Sequence, residues 1–357
     1  MPYHNRRLRR PPLPVIALLA ALLAPRAALA EAAEPPSGPA FSELWAYLMS
    51  GEERFFDPSW PISDLAYFAA SIGSTGSLAG VPDLDRLPAF PGRIHLVVAE
   101  VGNYALSHFC LDPAYPLRDQ LLVDIAMAAR PFDGVQIDFE AVGKADREHF
   151  VEFLRLLKAV LGDKILSVAL PARYKEEQDL FGYERIGRIV DRVIVMAYDE
   201  HWSGGEPGPV SSLDWARKVA EYAATKLPPE KLVMGSPFYG RAWADKSLSR
   251  AYKHSALSAI IEEKGLPALR RSGEIPFFEY DETVTVRLYF DDAASTLSRL
   301  SLYRAASVRN VAFWRLGQED PAIWAALAGA PAGEAAADPA EAPAAETEPA
   351  AGAGNAD

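Results

Sequence analysis

Asp133-Gly134-Val135-Gln136-Ile137-Asp138-Phe139-Glu140 is a short run whose two side-chain rows have opposite character. In an extended chain, successive side chains alternate between faces, so Val135, Ile137 and Phe139 form an apolar row while Gln136, Asp138 and Glu140 form a polar one. Helical character over residues 125 to 129, a Gly134 that allows a close turn, and an amphipathic pattern over about 147 to 161 make this a strand set between helices. Its apolar row is then covered, and the polar row must point elsewhere. The interior of a closed barrel near its C-terminal mouth fits that requirement. Carboxylates two residues apart on one face can approach within hydrogen-bonding reach, and a shared proton raises the apparent pKa of one, as a general acid needs. Spacing alone leaves catalysis, a solvated strand end and a metal site all open.

Three further segments extend the pattern in order: Val193 to Asp199 (VIVMAYD), Lys231 to Trp243 (KLVMGSPFYGRAW) and Val311 to Leu316 (VAFWRL). With the first stretch, these resemble the fourth, sixth, seventh and eighth strands of the chitinase-like glycoside hydrolase family 18. The signature of its fourth strand reads Asp-Gly-x-Asp-x-Asp-x-Glu. Asp133, Asp138 and Glu140 match, and Gln136 stands where the middle aspartate is expected. The nearest resemblance is to the bacterial spore-cortex and peptidoglycan N-acetylglucosaminidases, in which that position is commonly an amide. The resemblance covers roughly residues 42 to 328.

What the resemblance implies is an α/β fold, a (β/α)8 TIM barrel with a small α+β insertion between the seventh and eighth strands. It also implies a retaining hydrolase of β-1,4 bonds in N-acetylglucosamine polysaccharides, requiring no metal or organic cofactor. Glu140 would protonate the glycosidic oxygen and later activate water, while the substrate's own acetamido group attacks the anomeric carbon. Asp138 would orient that acetamido group, and Tyr198 would hold its oxygen. Met196 would line the floor of the central subsite and Trp314 would lie under the sugar, with Asp133, Gln136, Asp199, Tyr239 and Trp202 as further substrate contacts. Alternation alone makes Tyr198 and Asp199 face opposite ways. A glutamine at position 136 removes like-charge repulsion, which should lower the pKa of Asp138 and move the pH profile toward acid. The competing reading is a lectin-like barrel that binds N-acetylated glycans without cutting them. Such barrels generally lack the terminal glutamate, and Glu140 is present.

The chain's 357 residues, 50% of them apolar, suffice for one large barrel. Arg6, Arg7, Arg9 and Arg10 precede an apolar run over residues 14 to 24, and Ala28-Leu29-Ala30 supplies a cleavage site, so residues 1 to 30 read as a signal peptide. Secretion or a periplasmic location follows, with an uncleaved anchor as the alternative; after processing no membrane insertion is expected. Loss of that segment removes five arginines and no acid, taking the formal charge from −12 to −17. Such a surface repels nucleic acid and leaves neutral sugar chains as partners, with a monomer as the expected state.

Cys110 is the single cysteine and reads as a buried small hydrophobe; the six histidines are scattered, without zinc-type spacing. Residues 31 to 41 read as a linker and 42 to 330 as the barrel, with the insertion at about 244 to 290. Residues 331 to 357, with six acids, no base and no aromatic residue, read as a disordered tail. After the first strand, Glu52, Glu53, Phe55, Phe56 and Trp60 suit either a sugar-stacking shelf at the mouth or a loop tucked onto the first helix.

Overall fold

A computed structural model of the chain describes residues 38–177, 181–246, 253–267, 269–272 and 274–329. The signal-peptide expectation, most of the linker and the tail lie outside these residues. Eight parallel strands carry the fold: β1 (Glu43–Met49), β2 (Asp64–Ile72), β3 (Arg93–Glu100), β4 (Gly134–Phe139), β5 (Ile165–Pro171), β6 (Arg192–Met196), β7 (Leu232–Pro237) and β8 (Asn310–Trp314). Each pairs with its neighbour in sequence, and β1 pairs with both β2 and β8, so the sheet closes. This is the TIM barrel that the sequence implies.

Both faces of β4 are covered, and all six of its residues are buried. Val135, Ile137 and Phe139 join the large apolar layer between sheet and helices. Gln136 and Asp138 project with the other row into the barrel, whose interior apolar cluster is formed by Trp45, Tyr47, Ala66, Val97, Ile194, Val233 and Ala312. Gly134 is the first residue of the strand rather than part of a turn. A Cβ there would come within 2.4 Å of His95 Nδ1 and 2.6 Å of the Ile165 carbonyl oxygen, so only glycine lets the imidazole pass beneath β4.

The helices follow from periodicity and caps. The helix Arg147–Leu161 buries Phe150, Val151, Phe153, Leu154, Leu157 and Leu161, one stripe of a 3.6-residue repeat, and ends at Gly162 with φ 61°. The Ser212 hydroxyl caps the helix Leu213–Lys226 by accepting from the Trp215 N–H, and Asp292 forms a capping box with Ser295 at the helix Ala293–Ala305. Among the described residues the first crossover contains a 3-10 turn, Glu53–Phe55, and the second a short strand, Leu78–Ala79, paired antiparallel with β2, and a 3-10 turn, Leu84–Arg86; neither contains an α-helix. The first loop thus has no α-helix in its own crossover, and the helix it meets is Ala322–Ala328, which carries Trp324. Phe56 packs edge-on against Phe90 and Trp60 stacks on Trp324 at 4.5 Å, which commits these two aromatics to packing rather than to an open shelf.

The insertion between β7 and β8 pairs Arg241–Ala244 with Val286–Tyr289 and Arg270–Ser272 with Ile275–Phe277, beside a helix His254–Glu263. Both sheets are antiparallel. Cys110 is fully buried. No helix among the described residues is long and apolar enough to cross a membrane.

The foot of the barrel, at the N-terminal strand ends, is closed by charge. Arg93 donates to Asp64 at 2.6 and 2.7 Å and to Glu43 at 2.7 Å, and Arg192 donates to Glu43 at 2.7 and 2.9 Å. His95 Nε2 lies 2.8 Å from Asp64, and its ring stacks on Trp45, whose indole N–H reaches Glu43. Burial alone would raise the Asp64 carboxyl, but the hydrogen bonds from His95 and Arg93 overcome it and hold the pKa at about 2.

Candidate active site

The polar row of β4 climbs from this foot to the open C-terminal mouth. Gln136 is fully buried, and its Nε2 donates to the Tyr47 hydroxyl at 2.6 Å. One step higher, Asp138 is 5% exposed and its Oδ1 has no hydrogen-bond partner. Glu140 lies just past the strand and is exposed. Two backbone bonds steady that end, since the N–H groups of Glu140 and Ala141 both donate to the Glu100 carbonyl.

Burial first, and then the charge of Glu140, raises the pKa of Asp138 to about 7. The acidic value expected from an amide at position 136 is therefore not found. Losing one like charge does not compensate for desolvation. Glu140 is raised as well, first by desolvation against the protein wall and then by the charge of Asp199. A carboxyl at an open mouth whose pKa is raised by burial and a neighbouring acid has the chemistry of a general acid.

The end of β6 supplies the opposite wall. After Met196, Ala197 N–H donates to the Val195 carbonyl and Tyr198 N–H to the Met196 carbonyl, and Asp199 takes φ 60°. This coil breaks strict alternation, so Tyr198 and Asp199 both face the acidic pair instead of opposite sides. The Tyr198 hydroxyl is pushed well up, first by burial and then by the neighbouring Tyr47, Asp138, Tyr239 and Glu140. Room for its ring comes from Gly235 on β7, where a Cβ would lie 3.1 Å from Tyr198 Cε1 and 2.8 Å from the Val195 carbonyl oxygen. Asp199 Oδ1 accepts from the Tyr239 hydroxyl at 2.6 Å and pairs with Arg241. Met196, half-buried, ends β6 opposite Pro171.

Trp314 ends β8, edge-on to Tyr47 at 5.1 Å and to Phe68 at 5.2 Å, and so forms the apolar rim above the interior layer. An ion pair between Glu52 and Arg315 links the loops after β1 and β8 beside it.

The structure thus gathers Asp138, Glu140, Tyr198, Asp199 and Tyr239 at the mouth, adds Trp314 above Tyr47, and sets Gln136 one layer below. Two predicted contacts fall elsewhere. Asp133 sits before β4 at the foot, where its Oδ2 accepts from the Ile94 N–H at 2.8 Å, so it fastens strands rather than facing a ligand. Trp202 stands 59% exposed in the loop after β6, with Gly204 and Gly205 against its indole, and none of its contacts among the described residues ties it to the acidic pair. Tyr47 and Arg241 were not expected as site residues. Alternation in β1 does place Tyr47 in the same row as Trp45, but only the closed sheet reveals Gln136 as its partner.

A barrel with paired carboxylates at the end of its fourth strand defines a glycosidase-like class. The profile described as "Glycosyl hydrolases family 18" matches residues 122–319, and the chain belongs to that family. Among curated relatives, the cortical fragment-lytic enzyme of Bacillus anthracis is 27% identical over 287 residues, covering 74% of this chain and 66% of that protein. Its counterpart in Bacillus subtilis (strain 168) is 30% identical over 228 residues, covering 59% and 53%. The chain spans about half to two thirds of the length of the curated relatives it matches. Among solved structures, the Bacillus cereus spore cortex-lytic enzyme SleL has a TM-score of 0.63 at 26% identity, covering 82% of this chain and 74% of that one. The Chromobacterium violaceum chitinase, at 23% identity with a TM-score of 0.61 and coverage of 80% and 98%, attests the fold.

Proposed function

We propose that this chain is a retaining glycoside hydrolase that cuts β-1,4 bonds of N-acetylglucosamine-containing glycans by substrate-assisted catalysis. The observation that carries the reading is the acidic pair. Glu140 at the mouth and Asp138 beneath it are both raised from their ordinary pKa, inside a wall of tyrosines and below an indole rim. Glu140 donates its proton to the glycosidic oxygen as the acetamido carbonyl attacks the anomeric carbon, and then activates the water that opens the resulting oxazoline ring. Asp138, once ionised, accepts the acetamido N–H and offsets positive charge on the ring. Tyr198 holds the acetamido oxygen, and Trp314 supports the sugar face.

Within this class, the relatives named cortical fragment-lytic enzymes favour peptidoglycan, and those named chitinases keep chitin in view. The N-terminal segment fits this substrate, since a cleavable signal peptide would carry the enzyme, as a monomer, to a periplasmic or secreted location.

The test incubates the full chain separately with chitin oligomers, purified peptidoglycan and a fully de-N-acetylated oligomer, and reads new reducing ends by mass spectrometry. New N-acetylglucosaminyl ends from peptidoglycan, with few from chitin, are expected. Cleavage of the de-N-acetylated chain overturns the substrate-assisted mechanism, and binding without new ends overturns hydrolysis.

A further inference from the structure

Arg299, on the helix Ala293–Ala305 that leads from the insertion to β8, is only 2% exposed. Its guanidinium holds three parts of the chain at once. Nη2 donates to the Ser211 carbonyl at 2.6 Å and to the two oxygens of Asp291 at 2.9 and 3.1 Å, and Nη1 donates to the Ser236 hydroxyl at 3.3 Å. Nε alone is left without a partner, so the fork end does the holding. A cation withdrawn so completely from water is a poor source of stability, because desolvation offsets most of what its ion pair contributes. What an apolar side chain could not replace is the geometry. Ser211 lies in the neck of the loop after β6, where the Glu200 N–H donates to the Val210 carbonyl at 2.9 Å and the Glu200 carboxylate accepts from the Ser212 N–H at 2.6 Å and hydroxyl at 3.0 Å, one residue beyond Asp199. Asp291 follows the last strand of the insertion, whose end passes against Gly240: a Cβ there would come within 2.7 Å of Phe290 Cβ and 2.8 Å of the Tyr289 carbonyl oxygen. Gly240 separates Tyr239 from Arg241, the two residues that hold Asp199. About one turn along the same helix, Tyr303 donates to the Gly235 carbonyl at 3.0 Å, and Gly235 makes room for the ring of Tyr198.

We propose that Arg299 is a positioning residue for the mouth: by fastening the neck of the loop after β6 to the exit of the insertion, it keeps Asp199 in register with Tyr239 and Arg241. Asp199 thereby keeps its place as the charge that acts on Glu140. A guanidinium suits this role because its planar fork fixes several bond directions at once and leaves the two segments no freedom to slide. A lysine ammonium is a point charge on a flexible stem and would pin one partner at a time. The titratable groups acting with Glu140 are Asp138 from its own strand and Tyr198 and Asp199 from the end of β6.

The link to catalysis rests on the glycosidase reading, whereas the tie itself does not. The test titrates Glu140 in the full chain by carbon NMR with labelled glutamate carboxyls, its signal being the one lost in Glu140→Gln, and measures turnover of an N-acetylglucosamine oligomer. Arg299→Lys keeps the charge and loses the fork. Asp291→Glu keeps the ion pair and lengthens one arm by a methylene, and it decides the matter alone if the lysine variant does not fold. Charge is conserved in both, so a moved midpoint reports a moved Asp199. The Glu140 midpoint should fall by about half a pH unit as Asp199 leaves its place, and turnover should fall about tenfold. In an Asp199→Asn background the same substitutions should leave the midpoint where Asp199→Asn alone sets it. Unmoved midpoints, or a further fall in that background, overturn the proposal and leave Arg299 a residue of the fold only. Expected shifts in a chain that cuts no N-acetylglucosamine polymer would sink the glycosidase reading and leave this tie standing. Hydrolysis with unmoved midpoints would do the reverse.

Discussion

At the foot of the barrel Asp64 is fully buried between Arg93 and His95, and at the mouth Asp138 is nearly as buried beside Glu140, Tyr47 and Tyr198. One carboxyl titrates at about 2 and the other at about 7. Burial opposes ionisation at both ends, so burial does not explain the difference. Donors do. Asp64 receives hydrogen bonds from a guanidinium, an imidazole and the Ser63 hydroxyl, whereas one oxygen of Asp138 has no partner and its nearest charge is another acid. The foot is arranged for a stable ion cluster, and the mouth keeps a proton available. In barrels of this type the catalytic groups belong to the C-terminal face.

The sharpest way to break the comparison is to remove a partner at the foot. Asp64→Ala leaves His95 and Arg93 without their shared carboxylate, and breaking a buried ion pair in this way costs about 3–5 kcal/mol. Denaturant unfolding should show that loss, while kcat of the residual folded protein should stay within a few-fold of wild type. The Asp64 contribution is fully present above its unfolded pKa, near 4, and disappears as pH falls through about 2. A variant with wild-type stability at pH 7 would mean that the cluster contributes nothing net.

The mouth should respond with the opposite sign. Between pH 4 and 7 the native Asp138 keeps a proton that the unfolded chain has released, so stability falls as pH rises through that window. Asp138→Asn should therefore stabilise the fold at pH 8 by up to roughly 4 kcal/mol, the conversion of about three pKa units, and leave it unchanged near pH 4. Thermal melts at the two pH values would check this. A variant equally destabilised at both would show that Asp138 is held by bonds like those of Asp64.

The sequence made the mouth more legible than the foot, and the reason is periodicity. In β4 the two rows differ in polarity at every position, so the burial of one row and the inward aim of the other could be read directly. The bounds of the helix Arg147–Leu161 follow in the same way from its apolar stripe. Asp133 was misplaced because a motif match carries no direction along the strand; it lies five residues, roughly 17 Å, below Asp138. Glu43, Asp64, Arg93 and Arg192 were illegible as a cluster, since they come from four strands that only closure of the sheet brings together. Convergence of Tyr198 and Asp199 depends on a local coil after Met196 that alternation could not foresee.

If Glu140 is the proton donor, Glu140→Gln should cut turnover on N-acetylglucosamine oligomers by at least about a hundredfold, or about 2.7 kcal/mol in the barrier. Its melting temperature should stay close to wild type because the side chain is exposed. Full turnover in this variant would remove Glu140 from the mechanism and leave the contrast between the two ends as electrostatics without chemistry.

The smallest expected effect tests whether the mouth is tuned from outside the pair. Asp199 carries a negative charge that raises Glu140, and it is itself held by Tyr239 and Arg241. In Asp199→Asn the carboxamide oxygen can still accept from the Tyr239 hydroxyl, so the wall keeps its shape while the charge is lost. Arg241, no longer neutralised, adds to the change by favouring ionised Glu140. Both effects lower the pKa of the acid. Glu140 must be protonated to act, so the limb of the rate profile that falls toward high pH should move to lower pH, by about one unit or less at an exposed carboxyl. The limb that falls toward low pH should move less, because Asp138 feels Glu140 rather than Asp199 as its main charged neighbour. A shift of the high-pH limb toward alkali, or a profile changed only in height, would show that Asp199 acts by holding Tyr239 and Arg241 in place rather than through its charge on Glu140.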